Sequence, residues 1–528
     1  MSAQEIELKL RVAPDDMPRL RAAKRLADSA GKAGSKTLDS TYFDTDDLRL
    51  QGQGLSLRVR KQGRSFVQTL KSAPTGQGGA LRRGEWETAV SGDQPDLSAL
   101  PDPSVLLDAV GPLEAAELRP VFSTHVRRSV RLLTPADGVE VEVAIDEGEI
   151  RTPSGRTLPL SELELELKAG TDTAPLYALA LALNETVPLR VETRTKSERG
   201  YDLAAGLGAR WSKASRLELS PEITVEQALA GIVRHCIGHM VANEAVALEG
   251  VDSEGVHQMR VALRRLRSAL SLFKPFLPAE QLERLVTEVK WLAGSLGAAR
   301  DWDVFLEELL VPVLQAFPGD AGLAALEEAA GECRRRGYAG VRAAVDSPRY
   351  TALLLTLGAW VDGRGWRDQP VSERSAMLLQ PVLDMADRML AKRHRQARRR
   401  GRGFARLAAA ERHQLRIALK KLRYAAEFFR SLYDPKPVRR YLDDLAALQD
   451  TLGHLQDVAT VTKLVGQVEA ELGDAAPAGW QRGAGMVIGW HGHGLQAREP
   501  QIVRDWEAFA DTKPFWTSGK PDPDTVAP

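Results

Sequence analysis

The chain is poor in the residues that mark secreted and disulfide-built proteins. It has two cysteines, Cys236 and Cys333, in 528 residues. This number excludes a disulfide framework, and we expect both thiols to behave as small buried side chains in a reducing compartment. The start lacks the pattern of a signal peptide, and no uncharged apolar run reaches about 18 residues. These absences predict a soluble cytoplasmic protein that does not cross a membrane.

Neither sign of charge is in excess, because 71 Lys and Arg residues balance 71 Asp and Glu residues. Net charge therefore points to neither nucleic acid nor membrane as a partner. Apolar residues make up 43% and charged residues 27%, which is close to ordinary globular usage and argues against wholesale disorder. At 528 residues the chain exceeds the size of a single hydrophobic core, so we expect two or three domains.

The two parts of the chain differ in hydrophobic periodicity. Up to about residue 203, short segments alternate polar and apolar residues between turn-forming clusters, which predicts strands with helices at 14–30 and 174–185. After that, apolar residues recur at helical spacing. We predict an α+β multidomain chain with these bounds: a β domain at 1–205, a linker at 206–220, a helical domain at 221–510 and a flexible tail at 511–528.

The helical part repeats itself. Residues 257–267 match 413–423, and residues 296–301 match 452–457, both with an offset of 156. Two blocks in one register indicate a tandem duplication, most simply two packed helical bundles.

In the β part, acidic and cationic residues are segregated onto different strands. Glu5 and Glu7 share one strand face, as do Glu162, Glu164 and Glu166. The cationic strands carry Arg58 with Arg60, and Arg127 with Ser129 and Arg131. For a single strand, a solvated outer face is the commoner interpretation of such alternation. A shared ligand explains the segregation better, because separated charges forgo favourable cross-strand pairs.

Closure of these strands into a barrel would turn the charged faces inward. Carboxylates then hold one or two hard divalent cations, while Arg and Lys hold phosphate oxygens. A few carboxylates combined with phosphates suit Mg²⁺ or Mn²⁺, and no Cys or His spacing in this part competes for zinc. The sequence therefore predicts a triphosphate site inside a β-barrel.

Seven blocks along the β part resemble the CYTH domains, the triphosphate tunnel metalloenzymes. They are Glu5-x-Glu7-x-Lys9, the 41–45 segment Thr-Tyr-Phe-Asp-Thr, Leu-Arg-Val-Arg at 57–60, Thr-Leu-Lys at 69–71, Gly-Glu-Trp-Glu at 84–87, Glu-x-Glu-x-Glu-Leu-Lys at 162–168 and Lys-Ser-x-Arg-Gly-Tyr at 196–201. The resemblance covers about residues 3–205. It implies an eight-stranded antiparallel tunnel that hydrolyses, or does other chemistry on, a triphosphate.

The resemblance also implies roles for individual residues. The implied metal ligands are Glu5, Glu7, Glu142, Asp146, Glu164 and Glu166. The implied phosphate-binding residues are Lys9, Arg58, Arg60, Lys71, Arg127, Lys168, Lys196 and Arg199. The catalytic base stays open between a carboxylate, Glu85 or Glu87, and a lysine of lowered pKa, for which Lys196 is the candidate.

The repeated helical segments each present a basic face. His257, Arg260, Arg264 and Arg267 fall on one side of a helix, and His413, Arg416, Lys420 and Arg423 repeat the pattern. Residues 392–440 contain 17 Lys or Arg against three acids, a local excess of +14. One such face is ordinarily solvated, but its recurrence favours a polyanion site. Few aromatic residues lie nearby, so phosphate chains without bases fit better than nucleic acid.

His235 and His239 are four residues apart on a helix, a spacing that can bind zinc. No third ligand is evident, so we expect phosphate contact, for His239 in particular, or core packing. The repeated blocks, residues 257–267 and 296–303 with their second copies, resemble the CHAD domain, and the resemblance spans about residues 221–510. That family is a duplicated helical module associated with polyphosphate binding and often fused to CYTH.

The combined interpretation is an inorganic triphosphatase that cleaves tripolyphosphate and carries a module for long-chain polyphosphate. The first alternative is a non-catalytic protein targeted to polyphosphate granules. Adenylate cyclase and nucleoside or thiamine triphosphatase are further alternatives, since the fold leaves the substrate open. The sequence makes no prediction of oligomeric state.

Overall fold

A computed structural model describes residues 3–27, 34–74, 79–136, 138–453 and 457–517. The chain divides into two compact units. The first comprises Met1–Arg210 together with Asp346–Gly365, and the second comprises Trp211–Val345 together with Trp366–Pro528. A segment from the middle of the helical sequence therefore belongs to the β unit.

The described residues of the first unit form nine antiparallel strands. Their bounds are β1 Ala3–Val12, β2 Gly34–Asp44, β3 Ser56–Gln62, β4 Ser65–Lys71, β5 Leu81–Val90, β6 Arg119–Ala136, β7 Val139–Arg151, β8 Thr157–Ala169 and β9 Leu189–Val191. The hydrogen-bonded order is β5-β4-β3-β2-β6-β7-β8-β1-β9, and β1 also pairs with β5. Strands β1 to β8 thus close into the predicted eight-stranded barrel, and β9 extends the edge of β1.

The described residues of both units also form α-helices, which are numbered in chain order. The first six are α1 Met17–Arg21, α2 Lys24–Ala27, α3 Arg49–Gly52, α4 Ser104–Val110, α5 Ala174–Asn184 and α6 Lys196–Ala205. The next eight are α7 Val225–Ala242, α8 Glu244–Glu249, α9 Glu254–Phe273, α10 Ala279–Ser295, α11 Gly297–Val304, α12 Val311–Ala316, α13 Ala321–Val345 and α14 Pro348–Asp362. The last six are α15 Glu373–Ala376, α16 Val382–Gly401, α17 Ala409–Phe429, α18 Pro435–Thr451, α19 Asp457–Leu472 and α20 Trp480–Ala510.

Two helices were predicted in the β part of the sequence. The one at 174–185 is α5, as expected. The one at 14–30 is instead a short 3₁₀ turn followed by α1 and α2, and residues 28–30 lie outside the described part of the chain. Pro18 near the start of α1 lacks a backbone N–H, which helps to separate the turn from the helix.

Strand alternation sends one set of side chains into the barrel and the other set outward. One outer core gathers Phe43, Leu57, Leu70, Leu100 and Leu106. A second cluster contains Tyr42, Phe122, Val126, Ile150 and Tyr201, with the ring of Tyr42 stacked 4.5 Å from that of Phe122, and its members Tyr42 and Val126 also face the interior of the barrel. Burial of these apolar groups stabilises the barrel wall and holds the inward faces in register.

Helix α14 completes the first unit. The Asn184 amide donates to the Pro348 carbonyl at 2.8 Å, and the Thr351 hydroxyl donates to the Leu189 carbonyl. These bonds join α14 to the end of α5 and to β9.

The second unit is helical, as predicted, and its element bounds repeat at the interval seen in the sequence. Shifting α10 by 156 residues gives 435–451, which are the bounds of α18. The same shift takes α9 to 410–429, within one residue of α17. Helix α7 packs on α9 as α16 packs on α17, and α9 also contacts α17.

The connecting and terminal segments differ from one another. Residues 207–220, all of which are described, form no helix or strand. In the segment predicted as a tail, Phe515 and Trp516 are buried against Tyr441, with ring centroids 5.4 and 5.3 Å away, whereas 518–528 lies outside the described residues. Among the helices that the structure describes, none is long and apolar enough to span a bilayer.

Candidate active site

A cavity of about 240 Å³ runs through the barrel, and its lining is overwhelmingly ionic. The charged lining residues are Glu5, Glu7, Lys9, Lys36, Arg58, Arg60, Lys71, Arg83, Glu85, Glu87, Arg128, Glu142, Asp146, Glu164, Glu166, Lys168 and Lys196. We call this cavity the tunnel. Leu38 and Val126 are the aliphatic side chains among the lining residues.

The β1–β5 seam carries the first ionic group. Register places Glu5 opposite Arg83, and the Arg83 guanidinium donates to the Glu5 carboxylate at 2.6 Å. Its other nitrogen lies 2.8 Å from Glu7 Oε1. Lys71 Nζ lies 3.0 Å from Glu5 and 2.8 Å from Glu85. These contacts hold both glutamates of the β1 motif in fixed positions.

The second ionic group surrounds Lys196. Carboxylate oxygens of Asp146, Glu162 and Glu164 lie within 4.8 Å of one another. Lys196 Nζ lies 2.9, 2.8 and 2.6 Å from these three carboxylates, respectively. Arg128 also contacts Asp146 and Glu164. Buried charges of one sign require such partners, because an unpaired ion in a low-dielectric interior is costly.

The sequence at the start of α6 explains why Lys196 reaches this position. Thr195 caps the helix by accepting from the Glu198 N–H, and Glu198 accepts in return from the Thr195 N–H. Tyr201 donates to Asp44 at 2.9 Å, and Asp44 accepts from the N–H of Leu50 at 2.9 Å. The capping box and this buried bond fix both ends of the first helical turns.

The charges shift several pKa values. Although burial lowers the pKa of Lys196, the carboxylates of Asp146 and Glu162 raise it overall. Burial, followed by the cations Arg83 and Arg58, lowers the pKa of Lys71. Lys196 therefore stays protonated, which disagrees with its predicted use as a base, whereas Lys71 has the environment of a proton acceptor.

Glu5, Glu142 and Glu166 form a further set of carboxylates in the tunnel lining. Burial, and then the nearby charges of Glu5 and Glu142, raise the pKa of Glu166 in spite of its 2.6 Å contact with Lys168. Like charges that raise a carboxyl pKa mark a local excess of negative charge. Glu5, Glu142 and Glu166 thus offer hard oxygen donors of the kind that Mg²⁺ and Mn²⁺ prefer. The carboxylates of Asp146, Glu162 and Glu164 also lie close enough together to share an ion, but Lys196 already contacts all three.

Most residues predicted for the β part line the tunnel, but two do not. Arg127 is 61% exposed and pairs with Glu147 on the outer surface, while its neighbour Arg128 is 15% exposed and faces inward. Arg199 is buried against Glu162, below the lining. The structure therefore places Arg128, and not Arg127, in the tunnel.

Sequence reasoning missed Lys36, Arg83 and Arg128 as lining residues. Arg83 stands two residues before Glu85, so the alternation of β5 could have identified it. The β6 sequence has adjacent arginines at 127 and 128, and alternation alone does not say which one faces inward.

The repeated basic faces of the second unit meet along one groove of about 770 Å³ between α9, α10 and α17. Its basic lining residues are Arg264, Arg267, Lys274, Lys420 and Lys421. We call this the α9–α17 groove. The two halves of the duplication therefore contribute to a shared basic surface.

Lys420 lies at the centre of this charge. Burial, and then Arg416 and Arg264, lower the pKa of Lys420 to about 8, with further contributions from Arg260 and Arg423. Two arginines of each repeat thus act on one lysine: Arg260 and Arg264 from the first, and Arg416 and Arg423 from the second. The repulsion between these positive charges favours the binding of an anionic ligand, because the ligand would relieve it.

The remaining predicted residues of the helical part have other contacts. Arg423 pairs with Glu427 at 2.8 Å. His257 is half-buried, and burial followed by Arg300 lowers its pKa to about 4, while His413 is also half-buried. His239 is buried and its ring lies 3.1 Å from the Gln258 amide oxygen, so it packs in the core and does not face a ligand.

Comparison with known proteins agrees with both units. A CYTH domain model matches residues 3–201, and a CHAD domain model matches residues 231–465. A protein of Haemophilus influenzae named inorganic triphosphatase is 28% identical over 208 residues, which are 38% of this chain and 55% of that protein. This chain thus spans about half the length of that relative.

Two further relatives match larger parts of the chain. The crystal structure of the CHAD domain from the plant Ricinus communis is 30% identical with a TM-score of 0.50, and covers 58% of this chain and 98% of that one. An uncharacterized protein of Mycobacterium tuberculosis is 25% identical over 409 residues, 74% of this chain and 76% of that protein. The chain therefore belongs to the proteins in which a CYTH domain is fused to a CHAD domain.

Proposed function

We propose that the first unit is a metal-dependent inorganic triphosphatase that hydrolyses tripolyphosphate to pyrophosphate and phosphate, and that the second unit binds long-chain polyphosphate. The observation that carries this proposal is the ionic lining of the tunnel, in which Leu38, Tyr42 and Val126 are the apolar side chains that a nucleoside or a thiamine ring could contact. The name of the Haemophilus relative, inorganic triphosphatase, supports the same substrate class.

The cationic side of the tunnel would hold the triphosphate. Arg58 lies 3.7 and 3.8 Å from Glu85 and Glu87, distances longer than a hydrogen bond. Arg60 Nε donates to the Ser40 hydroxyl at 3.1 Å and keeps its other nitrogens for a ligand. Guanidinium groups of this kind bind phosphate oxygens in a bidentate manner.

The acidic side would hold the metal ion. We assign the ion to Glu5, Glu142 and Glu166, because all three line the tunnel, strand register places Glu142 opposite Glu166, and the charges of Glu5 and Glu142 raise the pKa of Glu166. When bound, the ion supplies neutralising charge to the phosphate oxygens and helps to orient them.

Hydrolysis requires a water molecule in line with the terminal phosphorus. The water oxygen forms a bond to that phosphorus as the bond to the bridging oxygen breaks and pyrophosphate leaves. Lys71, whose pKa is lowered, or Glu85, 2.8 Å from it, would accept the proton that the water loses. Arg58, Arg60 and Arg128 would stabilise charge on the transferring group.

A panel of substrates tests this proposal. The full chain should release phosphate from tripolyphosphate faster than from ATP or thiamine triphosphate, and it should form pyrophosphate as the second product. Preferential cleavage of ATP, or formation of cyclic AMP, would replace the proposal by a nucleotide-directed activity.

One observation favours a second candidate, a non-catalytic polyphosphate-binding protein recruited to polyphosphate granules. Lys196 fills the Asp146, Glu162 and Glu164 group with an internal cation, as expected of a tunnel held together without metal. Tight binding of polyphosphate with no hydrolysis of any triphosphate at any metal concentration would establish this candidate.

A further inference from the structure

The second half of α16 and the segment after it are strongly basic. Residues 388–410 contain nine Lys or Arg residues and no Asp or Glu. Lys392, Arg395 and Arg399 are exposed and recur at the spacing of one helix face, and the exposed Arg402 follows directly after the end of α16. We call these four the α16 basic face. Favourable interaction with the helix dipole accounts for cations in the last turn, but Lys392 and Arg395 lie before it.

The α16 basic face lines a cavity of about 860 Å³. Trp506 forms part of its wall, stacked on Phe404 at 5.9 Å and only 6% exposed. A Cβ on Gly401 would lie 2.0 Å from the Trp506 ring, so glycine allows the indole to pack this closely. The indole is therefore used in packing and offers no open face for a nucleobase, which favours a ligand made of phosphates alone.

The duplication does not explain this surface. At the offset of 156, the four residues of the α16 basic face correspond to Cys236, His239, Asn243 and Val246. None of these carries a permanent positive charge. The basic face is thus a property of the second repeat alone.

The opposite side of α16 adjoins the α9–α17 groove. Arg393 donates to the Ser271 hydroxyl at 3.3 Å, and Ser271 lines the groove. Burial, and then Arg393 and Arg400, lower the pKa of Lys421, another groove residue. Helix α16 therefore carries basic residues on the side of the groove and on the side of the cavity.

We infer that the α16 basic face is a second binding segment for the polyphosphate chain that occupies the α9–α17 groove, so that the protein selects chains long enough to reach both. The inference rests on the proposed polyphosphate binding of the second unit. From Lys392 to Gly401 the helix axis extends about 14 Å. Tripolyphosphate, with three linked phosphates, is too short to occupy the groove and this face together.

The test compares long-chain polyphosphate with tripolyphosphate as ligands of the full chain, in chelator to prevent turnover. The double variant Arg395→Gln/Arg399→Gln should bind long-chain polyphosphate about tenfold more weakly at low salt, and the slope of log affinity against log salt should fall by about two. Binding of tripolyphosphate should not change. The matched control is Arg284→Gln/Arg335→Gln, which removes two arginines that are each 71% exposed on α10 and α13.

Four results would overturn the inference. Equal losses in the double variant and the control would show a general charge effect. If the wild type and the double variant bind long-chain polyphosphate equally well, the α16 basic face is not a second binding segment. The proposed function of the second unit would be unaffected by that result. Displacement of long-chain polyphosphate by RNA at equal phosphate concentration would assign the face to nucleic acid. If the wild type binds no polyphosphate, both this inference and the proposed role of the second unit fail, whereas triphosphatase activity is measured separately.

Discussion

The ammonium of Lys196 lies 2.6 Å from the Glu164 carboxylate and at hydrogen-bond distance from Asp146 and Glu162. Lys196 is the first residue of α6, whereas the carboxylates belong to β7 and β8. One side chain thus connects a helix outside the strand order to two strands of the barrel. Loss of this cation would leave three buried carboxylates with fewer positive charges to balance them.

The first prediction concerns Lys196→Met. Removal of one partner from a buried ionic group costs about 3–5 kcal/mol, so the variant should unfold at lower temperature or denaturant concentration. Mn²⁺ should raise its unfolding midpoint more than that of the wild type, because a metal ion can replace the missing charge. Thermal unfolding with and without Mn²⁺ measures both effects. Lys168→Met, at a site 40% exposed, is the control, and equal stability of the two variants would contradict the expectation.

The second prediction uses the neighbouring arginines of β6. Arg128→Gln should lower kcat/KM for tripolyphosphate by about 100-fold or more, because it removes a cation from the tunnel. Arg127→Gln should stay within about twofold of the wild type, since Arg127 lies on the outer surface and surface ion pairs contribute little. Initial rates over a range of substrate concentrations give both values. A greater loss in Arg127→Gln would mean that the face of β6 is assigned wrongly.

These arginines also show how far sequence reasoning reaches. The alternating glutamates of β1 and β8 identified the strands and their inward faces, because a period of two fixes one face once a single residue is placed. On β6 both candidate faces carry arginine, so the choice depended on the tertiary register, which places Arg128 opposite Asp146. The burial of His239 could not be predicted either, because its helix face meets Gln258 of a helix that follows later in the chain.

The packing of helix α14 in the first unit could not be predicted from the sequence either. Its sequence is helical like its neighbours, and nothing local indicates that it packs with a β unit. The contact depends on Tyr177, whose hydroxyl accepts from the Ala80 N–H at 2.7 Å and donates to Asp362 at 2.6 Å. A Cβ on Gly358 would lie 2.7 Å from the Tyr177 ring, so this approach requires glycine.

The third prediction tests this contact. Tyr177→Phe should destabilise the full chain by about 1–3 kcal/mol, because the buried Ala80 N–H loses its acceptor just before β5 begins. Asp362→Asn should cost less, since the amide oxygen still accepts from the Tyr177 hydroxyl. Urea unfolding followed by circular dichroism measures both variants. A smaller loss for Tyr177→Phe than for Asp362→Asn would contradict this order.

The fourth prediction concerns pH and the α9–α17 groove. Lys420 has a pKa of about 8 in the folded protein, and bound phosphate would raise that value. The complex then holds more protons than the free protein, so affinity for polyphosphate should fall by about tenfold between pH 7 and pH 9. Lys420→Arg should reduce this dependence, because arginine keeps its charge throughout the range.

The same shift has the opposite consequence for folding stability. Because the folded pKa lies below the unfolded value, the unfolded chain binds more protons above about pH 8, and the contribution of Lys420 to stability rises with pH there.

Titration calorimetry with long-chain polyphosphate at several pH values tests the predicted fall in affinity. Equal pH dependence in the wild type and Lys420→Arg would show that another group, in place of Lys420, controls it.

Release of phosphate from tripolyphosphate by the full chain, measured before and after metal chelation, tests the proposed activity most directly. We expect turnover to disappear in chelator and to return when Mg²⁺ or Mn²⁺ is restored. Glu166→Ala should remain near background in both conditions, because Glu166 is one of the tunnel carboxylates proposed to hold the ion. Turnover that survives complete removal of metal would contradict a metal-dependent triphosphatase.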